Sequence, residues 1–237
     1  MPTDYSAIER ELARALGLDR RPVAVAFRDA PPPEVPRFTG KEPAGCSFWR
    51  LAAEGALFYT VPSDHFNCAI GSHTHSITLS PDRARELDQT LAFMTDIGYL
   101  RMEEVPEIPR LPERPGVVIY GPLARIPVEP DVVLFAGRPG RVMLLQEAAL
   151  RAGLAAQAPL MGRPTCMALP AALSGGLVAS TACIGNRVYT GLGEDELYVV
   201  VPGKDVARIA GEAATIAAAN AKLHDYHLER RRTLATE

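Results

Sequence analysis

The feature that most constrains this chain is an order of short motifs that occurs twice. Residues 22–27 (PVAVAF) match residues 130–135 (PDVVLF), and a proline follows four residues later in both, Pro31 and Pro139. A cysteine comes next, Cys46 or Cys166, then an alanine-rich segment, a glycine (Gly55, Gly176) and a short apolar strand (ALFYTV, LVAST). The second cysteine of each set stands in Cys68-Ala-Ile-Gly71 and Cys183-Ile-Gly185, and a proline-started helix closes each set, at Pro81 and after Pro202. A repeated order of strand, cysteine, strand, cysteine and helix predicts an α/β chain of two degenerate, pseudo-symmetric halves packed as one globular unit. The expected arrangement is a single domain over 1–237, with repeats at about 20–98 and 115–225.

Local patterns fill in the elements. Ile8, Leu12, Ala15 and Leu16 share a helical face that Gly17 ends. Ser80-Pro81 is a capping pair that starts a helix with Ala84, Leu87, Leu91 and Met94 on its apolar side, and Gly98 ends it. Residues 116–120 and 131–135 read as strands covered on both faces. A helix is expected between Gly137 and Gly153, strands at 177–181 and 196–201, and a last helix over about 205–227. Residues 62–71 read as a loop.

Composition narrows the partners. Apolar residues make up 47% of the chain and charged residues 22%, as in ordinary globular proteins. With 25 basic and 28 acidic residues the formal net charge is −3, so no basic excess exists to neutralise a phosphate backbone, and nucleic acid is not an expected partner. No uninterrupted apolar stretch approaches the roughly 20 residues that span a bilayer, and no apolar segment follows Met1-Pro2-Thr3-Asp4. The expectation is a cytoplasmic protein without a membrane partner. Its four cysteines are then reduced thiols or metal ligands rather than disulfides.

The duplication pairs those cysteines. Cys46 and Cys166 take equivalent positions, as do Cys68 and Cys183, so halves packed face to face bring four thiols to one place. Four soft thiolates suit an iron–sulfur cluster, with zinc as the alternative. The cluster is favoured because zinc ligands usually come in close sequence pairs, whereas 21 and 16 residues separate the members of each pair here and no Cys-x-x-Cys occurs. His65, His73 and His75 crowd around Cys68; on an extended segment His73 and His75 face the same side, as ligands or proton donors. Arg187, just after Cys183-Ile-Gly185-Asn186, is a candidate clamp for a small anion. Trp49, the single tryptophan, is a candidate pocket wall.

The segments Ala44-Gly-Cys46-Ser-Phe-Trp49, Cys68-Ala-Ile-Gly71, Pro130-Asp-Val-Val-Leu-Phe135 and Cys183-Ile-Gly185-Asn-Arg187, in this order, resemble the domain-of-unknown-function 169 family. The resemblance runs from about Pro22 into the last helix. It implies a cytoplasmic prokaryotic protein in which these cysteine motifs recur, and it supplies no substrate. Three functions remain open on sequence grounds. The first is a metal-binding protein, with an iron–sulfur cluster on four dispersed cysteines and a redox or small-molecule-binding role. The second is a thiol-dependent enzyme using Cys68 or Cys183 with a nearby histidine. The third is a non-catalytic protein that binds a small anion. The expected partners are a small-molecule ligand or a redox protein, with self-association left open.

Overall fold

The computed structural model describes residues 3–103, 108–154 and 160–234. Among them the chain forms one seven-stranded sheet with helices on both faces, a mixed α/β architecture. The strands are β1 (Val23–Arg28), β2 (Phe58–Thr60), β3 (Val117–Pro122), β4 (Val132–Gly137), β5 (Leu160–Met161), β6 (Val178–Ser180) and β7 (Leu197–Pro202). Their order across the sheet is β2-β3-β1-β4-β7-β6-β5, and every pairing is antiparallel except β5 with β6.

The registers show the two halves directly. β1 pairs with β3 over six residues, Val23 opposite Pro122 through Arg28 opposite Val117. β4 pairs with β7 over six residues in the same phase, Val132 opposite Pro202 through Gly137 opposite Leu197. On the outer side Phe58 faces Tyr120, and at the equivalent place Val178 faces Val200. At the centre β1 meets β4 around Ala24 opposite Val133, with Val23 facing Leu134 and Val25 facing Val132. A two-fold through that central pair carries β1, β3 and β2 onto β4, β7 and β6. Loop hydrogen bonds repeat as well: Leu123 N–H donates to the Pro22 carbonyl at 2.9 Å, and Gly203 N–H to that of Asp131 at 2.8 Å.

Two features of the repeat differ from the sequence expectation. Strand β3, whose residues 116–120 were grouped with the second half, completes the first half through its pairing with β1 and β2. The two proline-started helices are not equivalent either. Helix α4 (Pro81–Asp96) precedes β3, whereas α8 (Val206–Leu234) follows β7. Hydrophobic pattern and proline mark a helix start equally well in both places, but only strand pairing shows which half a segment joins.

Each sheet face has its own core, because alternate residues of a strand point to opposite sides. Ala24, Val133, Ile119 and Val199 pack against helices α1 (Tyr5–Leu16), α5 (Pro139–Arg151) and α8, through Leu12, Leu145 and Ile209. Val25, Leu134, Tyr120 and Val200 pack on the other side against α2 (Ser47–Ala53) and α6 (Ala168–Gly175). Both faces are covered as expected, although the pairing is antiparallel. Helix α1 is bounded as its sequence suggests. Asp4 accepts from the Ala7 N–H at 2.9 Å, and Gly17 takes a left-handed φ of 61° that a residue with a Cβ disfavours. Among the described residues, no helix is long and apolar enough to cross a membrane.

Candidate functional site

The cysteine face of the sheet carries the site. Cys46 immediately precedes α2, and Cys166 lies in a single 3₁₀ turn, Thr165–Met167, that leads into α6. From each of these cysteines to the strand that follows, the spacing is the same in both halves: Cys46 to Phe58 and Cys166 to Val178. Cys68 and Cys183 cap two short helices, α3 (Ala69–Thr74) and α7 (Ile184–Thr190), and both have extended backbones at the cap. All four cysteines are free and line one cavity of about 250 Å³. They come from four separate segments, two from each half.

The thiols feel one another. Burial, reinforced by Cys68 and Cys183, pushes the Cys46 thiol up to about 12. Burial raises Cys68 too, opposed by the backbone N–H groups of Gly45 and Gly71. Burial drives Cys166 far above the usual thiol range, with Cys68, Cys46 and Cys183 adding to it. As free side chains these three are therefore neutral thiols, poor nucleophiles at neutral pH. Among the described residues no histidine nitrogen is hydrogen-bonded to a cysteine sulfur, so the activated pair of a thiol enzyme is not assembled here.

Backbone and polar side chains converge on the sulfurs. The Gly71 N–H donates to Cys68 Sγ at 3.2 Å. A Cβ on Gly71 would lie 2.9 Å from that sulfur, so the glycine permits the close approach. Thr165 Oγ1 accepts from the Cys183 N–H at 2.7 Å, which ties the Cys166 turn to the Cys183 turn. The Asn186 amide stands beside Cys46 and lowers its pKa against the trend of burial. Tyr120, fully buried, is pushed well above its usual range first by burial and then by Cys46, Cys166 and Cys68, and it packs in the same buried core as Cys46 and Cys166.

Buried polar atoms without a hydrogen-bond partner collect on this side. They are Ser47 Oγ, Trp49 Nε1, His65 Nδ1, His75 Nε2, Tyr120 Oη and Asn186 Nδ2. Each such atom costs about 1–3 kcal/mol, and native proteins keep few of them. All six lie on the face of the sheet that carries the cysteines, with none on the opposite face among the described residues.

The histidines stand differently from their expected places. The segment after Cys68 is helical, so residues two apart diverge, and His73 and His75 do not share a side. His73 is half-buried, its pKa lowered by burial and then by Arg110. His75 is 2% exposed and donates from Nδ1 to the Gly71 carbonyl at 2.8 Å. His65 bonds Thr60 Oγ1 through Nε2 at 2.9 Å and lies 5.2 Å from His75, ring centre to ring centre. Burial lowers both, His75 to about 4 and His65 well below the usual imidazole range, so both are neutral imidazoles that fasten the Cys68 turn to the sheet. None of the three lines the cavity.

Two other expected site residues are structural. Arg187 does not line the cavity. Its guanidinium donates to the carbonyls of Thr181 at 2.6 Å, Glu196 at 3.0 Å and Gly193, closing the loop after α7. These three bonds tie the guanidinium into the loop and away from the cavity. Trp49 is buried edge-on against Tyr198 at 5.5 Å and faces away from the cysteine cavity. The cavity instead has walls that the sequence did not assign to it: Met94, Tyr99, Leu100 and Ile108 from the segment between α3 and β3, and Arg163 before Cys166.

Among the described residues, no three His, Cys, Asp or Glu side chains converge on a point where one metal ion would sit. A zinc ion needs such convergence, since its ligands share one tetrahedron. The thiolates of a [4Fe–4S] cluster bind separate irons around a larger core, so they need only surround a common space. Neither a curated protein nor a solved structure gives a significant match to the chain. A family model described as "Uncharacterised ArCR" does match, over residues 11–212, and with most of the chain covered the protein belongs to that family, domain of unknown function 169.

Proposed function

We propose that Cys46, Cys68, Cys166 and Cys183 hold an iron–sulfur cluster, a [4Fe–4S] centre, and that the protein uses it in a redox or small-molecule-binding role. The observation that carries this reading is the presence of four free cysteines, from four segments at pairwise equivalent positions, around a single cavity. The fit extends to the surroundings. The Gly71 N–H already points at a sulfur, and Asn186 Nδ2 and Tyr120 Oη are unpartnered polar groups beside the thiols. Donors of this kind stabilise thiolate and sulfide charge and set the potential of a cluster. The bound centre would supply one-electron chemistry or a Lewis-acidic iron. The chain itself supplies a dry, buried setting, since Cys46 and Cys166 are at most 9% exposed. Because three of the thiols are protonated when free, loading the centre releases protons to solvent.

Anaerobic purification or reconstitution with ferrous iron and sulfide tests the proposal. The expected result is a brown protein with about four irons and four sulfides per chain, whose visible absorption bleaches on reduction. A folded, colourless protein that takes up neither iron nor sulfide under those conditions rules it out.

A further inference from the structure

We propose that the protein self-associates as a two-fold pair, in which the far end of helix α8 of one copy lies on helix α4 of the other, and the reverse. The inference is independent of the proposed metal centre. It rests on two uncovered surfaces of the same chain that match one another in charge, spacing and apolar content.

Helix α8 outruns the body it packs on. Its buried residues are Val206, Ile209, Ala210 and Ala213, and Ile216 is half-buried against the same core. Every residue from Ala221 to Leu234 is exposed except the half-buried Leu228. Leu223 and Tyr226 are 55% and 56% exposed. At about 100° per residue Ile216, Leu223, Tyr226 and Leu234 fall within about 80° of one another, so the apolar strip that starts in the body runs on into the arm. Lys222 and Arg230 stand along it. Such an arm, about 21 Å long, gains little from its own body, since helices in proteins owe most of their stability to packing.

Helix α4 offers the complement. A groove along it is lined by Asp88, Leu91, Ala92, Thr95, Asp96 and Met102, so apolar side chains lie between two carboxylates. Other charges of the two helices are neutralised locally: Asp82 pairs with Arg85, Glu86 with Arg83 at 2.5 Å, and Glu229 with Arg232 at 3.5 Å. Asp88, Asp96, Lys222 and Arg230 form no ion pair among the described residues. The two acids are eight residues apart and so are the two bases, which gives each pair a span of about 12 Å and a turn of about 80°. Leu91 and Ala92 lie between the acids as Leu223 and Tyr226 lie between the bases. Asp96 ends α4, where the helix dipole favours a cation and no basic residue stands in the last turn. Two arms would repel each other, because Lys222, Arg230 and Arg231 would meet their own kind. The acidic groove of a second copy accepts them, and a reciprocal contact is made twice and closes.

Analytical ultracentrifugation of the full chain as purified tests the inference. The expected result is a dimer that loosens as salt is raised. Asp88→Lys combined with Asp96→Lys, and separately Lys222→Asp combined with Arg230→Asp, should each weaken self-association at least about tenfold. All four side chains are exposed, so circular dichroism should stay unchanged in both variants. Mixing the two charge-reversed proteins should restore a mixed pair, because each then presents the charge that the other's groove or arm requires. A monomer at every concentration, reversed variants that associate as tightly as the parent, reversed proteins that stay apart when mixed, or open chains in place of closed pairs would each overturn the proposal.

Discussion

His75 offers a quantitative test of how the cysteine turn is held. It is 2% exposed, its Nδ1 donates to the Gly71 carbonyl, and burial holds its pKa near 4, against 6.5 for an ordinary imidazole. The unfolded chain therefore binds a proton at His75 as pH falls through 6.5, while the folded chain does not until about 4. Protons bound preferentially by the unfolded state destabilise the fold, so stability should fall with pH across that window. The separation corresponds to on the order of 3 kcal/mol from this one residue. His65 acts in the same direction. Urea unfolding at pH 7, 6, 5 and 4 measures the slope, and His75→Asn isolates the contribution. Asparagine places an amide N–H near the position of Nδ1, keeps the bond to Gly71, and does not titrate. Acid also strips a thiolate-bound metal, but that loss acts on both proteins and cancels in the difference. A His75→Asn protein whose stability falls as steeply between pH 7 and 4 as the parent's would refute the argument.

Other outcomes follow from the same geometry. Replacing any one of Cys46, Cys68, Cys166 or Cys183 with serine should lower retained iron several-fold in anaerobic preparations, with circular dichroism unchanged; equal iron in all four variants would remove them as ligands. Gly71→Ala puts a methyl 2.9 Å from Cys68 Sγ and disturbs the N–H contact to that sulfur. Its expected effect is about tenfold faster loss of iron to a chelator, with apo-protein stability lowered by about 1–3 kcal/mol from overpacking, partly offset by helix propensity. Arg187→Ala should cost about 2 kcal/mol in denaturant unfolding through lost bonds to three carbonyls, and should leave retained iron unchanged in the folded protein.

The cysteines were legible in the sequence because duplication repeats both their chemistry and their spacing to the next strand. The strands were legible for a different reason: residues such as Val25, Val133 and Val199 are buried on a sheet covered from both sides, which leaves long apolar runs. The turn after Cys68 was not legible. Six residues, Ala-Ile-Gly-Ser-His-Thr, carry little helical pattern, and α3 is held by contacts of Ser72 and His75 to the Cys68 turn rather than by propensity. The role of Arg187 was misleading because an arginine beside a glycine reads equally well as a ligand clamp or a loop tie. Carbonyls from Thr181 and Glu196 decide between them, and their approach is a property of the folded loop. The cavity roof was invisible because its residues lie in a segment that belongs to neither copy of the repeat.

A two-fold at Ala24 and Val133 puts equivalent residues of both halves on the same face of the sheet. Segments that lead from the central strands therefore return their cysteines to one region without any long-range design. Symmetry alone would leave that region alike on its two sides. The structure departs from symmetry in what surrounds the thiols. The first half contributes the buried His65, His75 and Tyr120, the second contributes Arg163 and Asn186, and the roof residues Met94 and Leu100 come from a segment without a counterpart. Tyr120 has Val200 as its register equivalent, so that buried hydroxyl belongs to one copy, whereas Thr60 and Ser180 keep a buried hydroxyl in both. A duplicated scaffold thus supplies the four sulfurs, and a segment without a counterpart supplies an apolar roof. This division explains why the cysteine motifs are the recognisable part of the chain, while the roof over them lies outside the repeat.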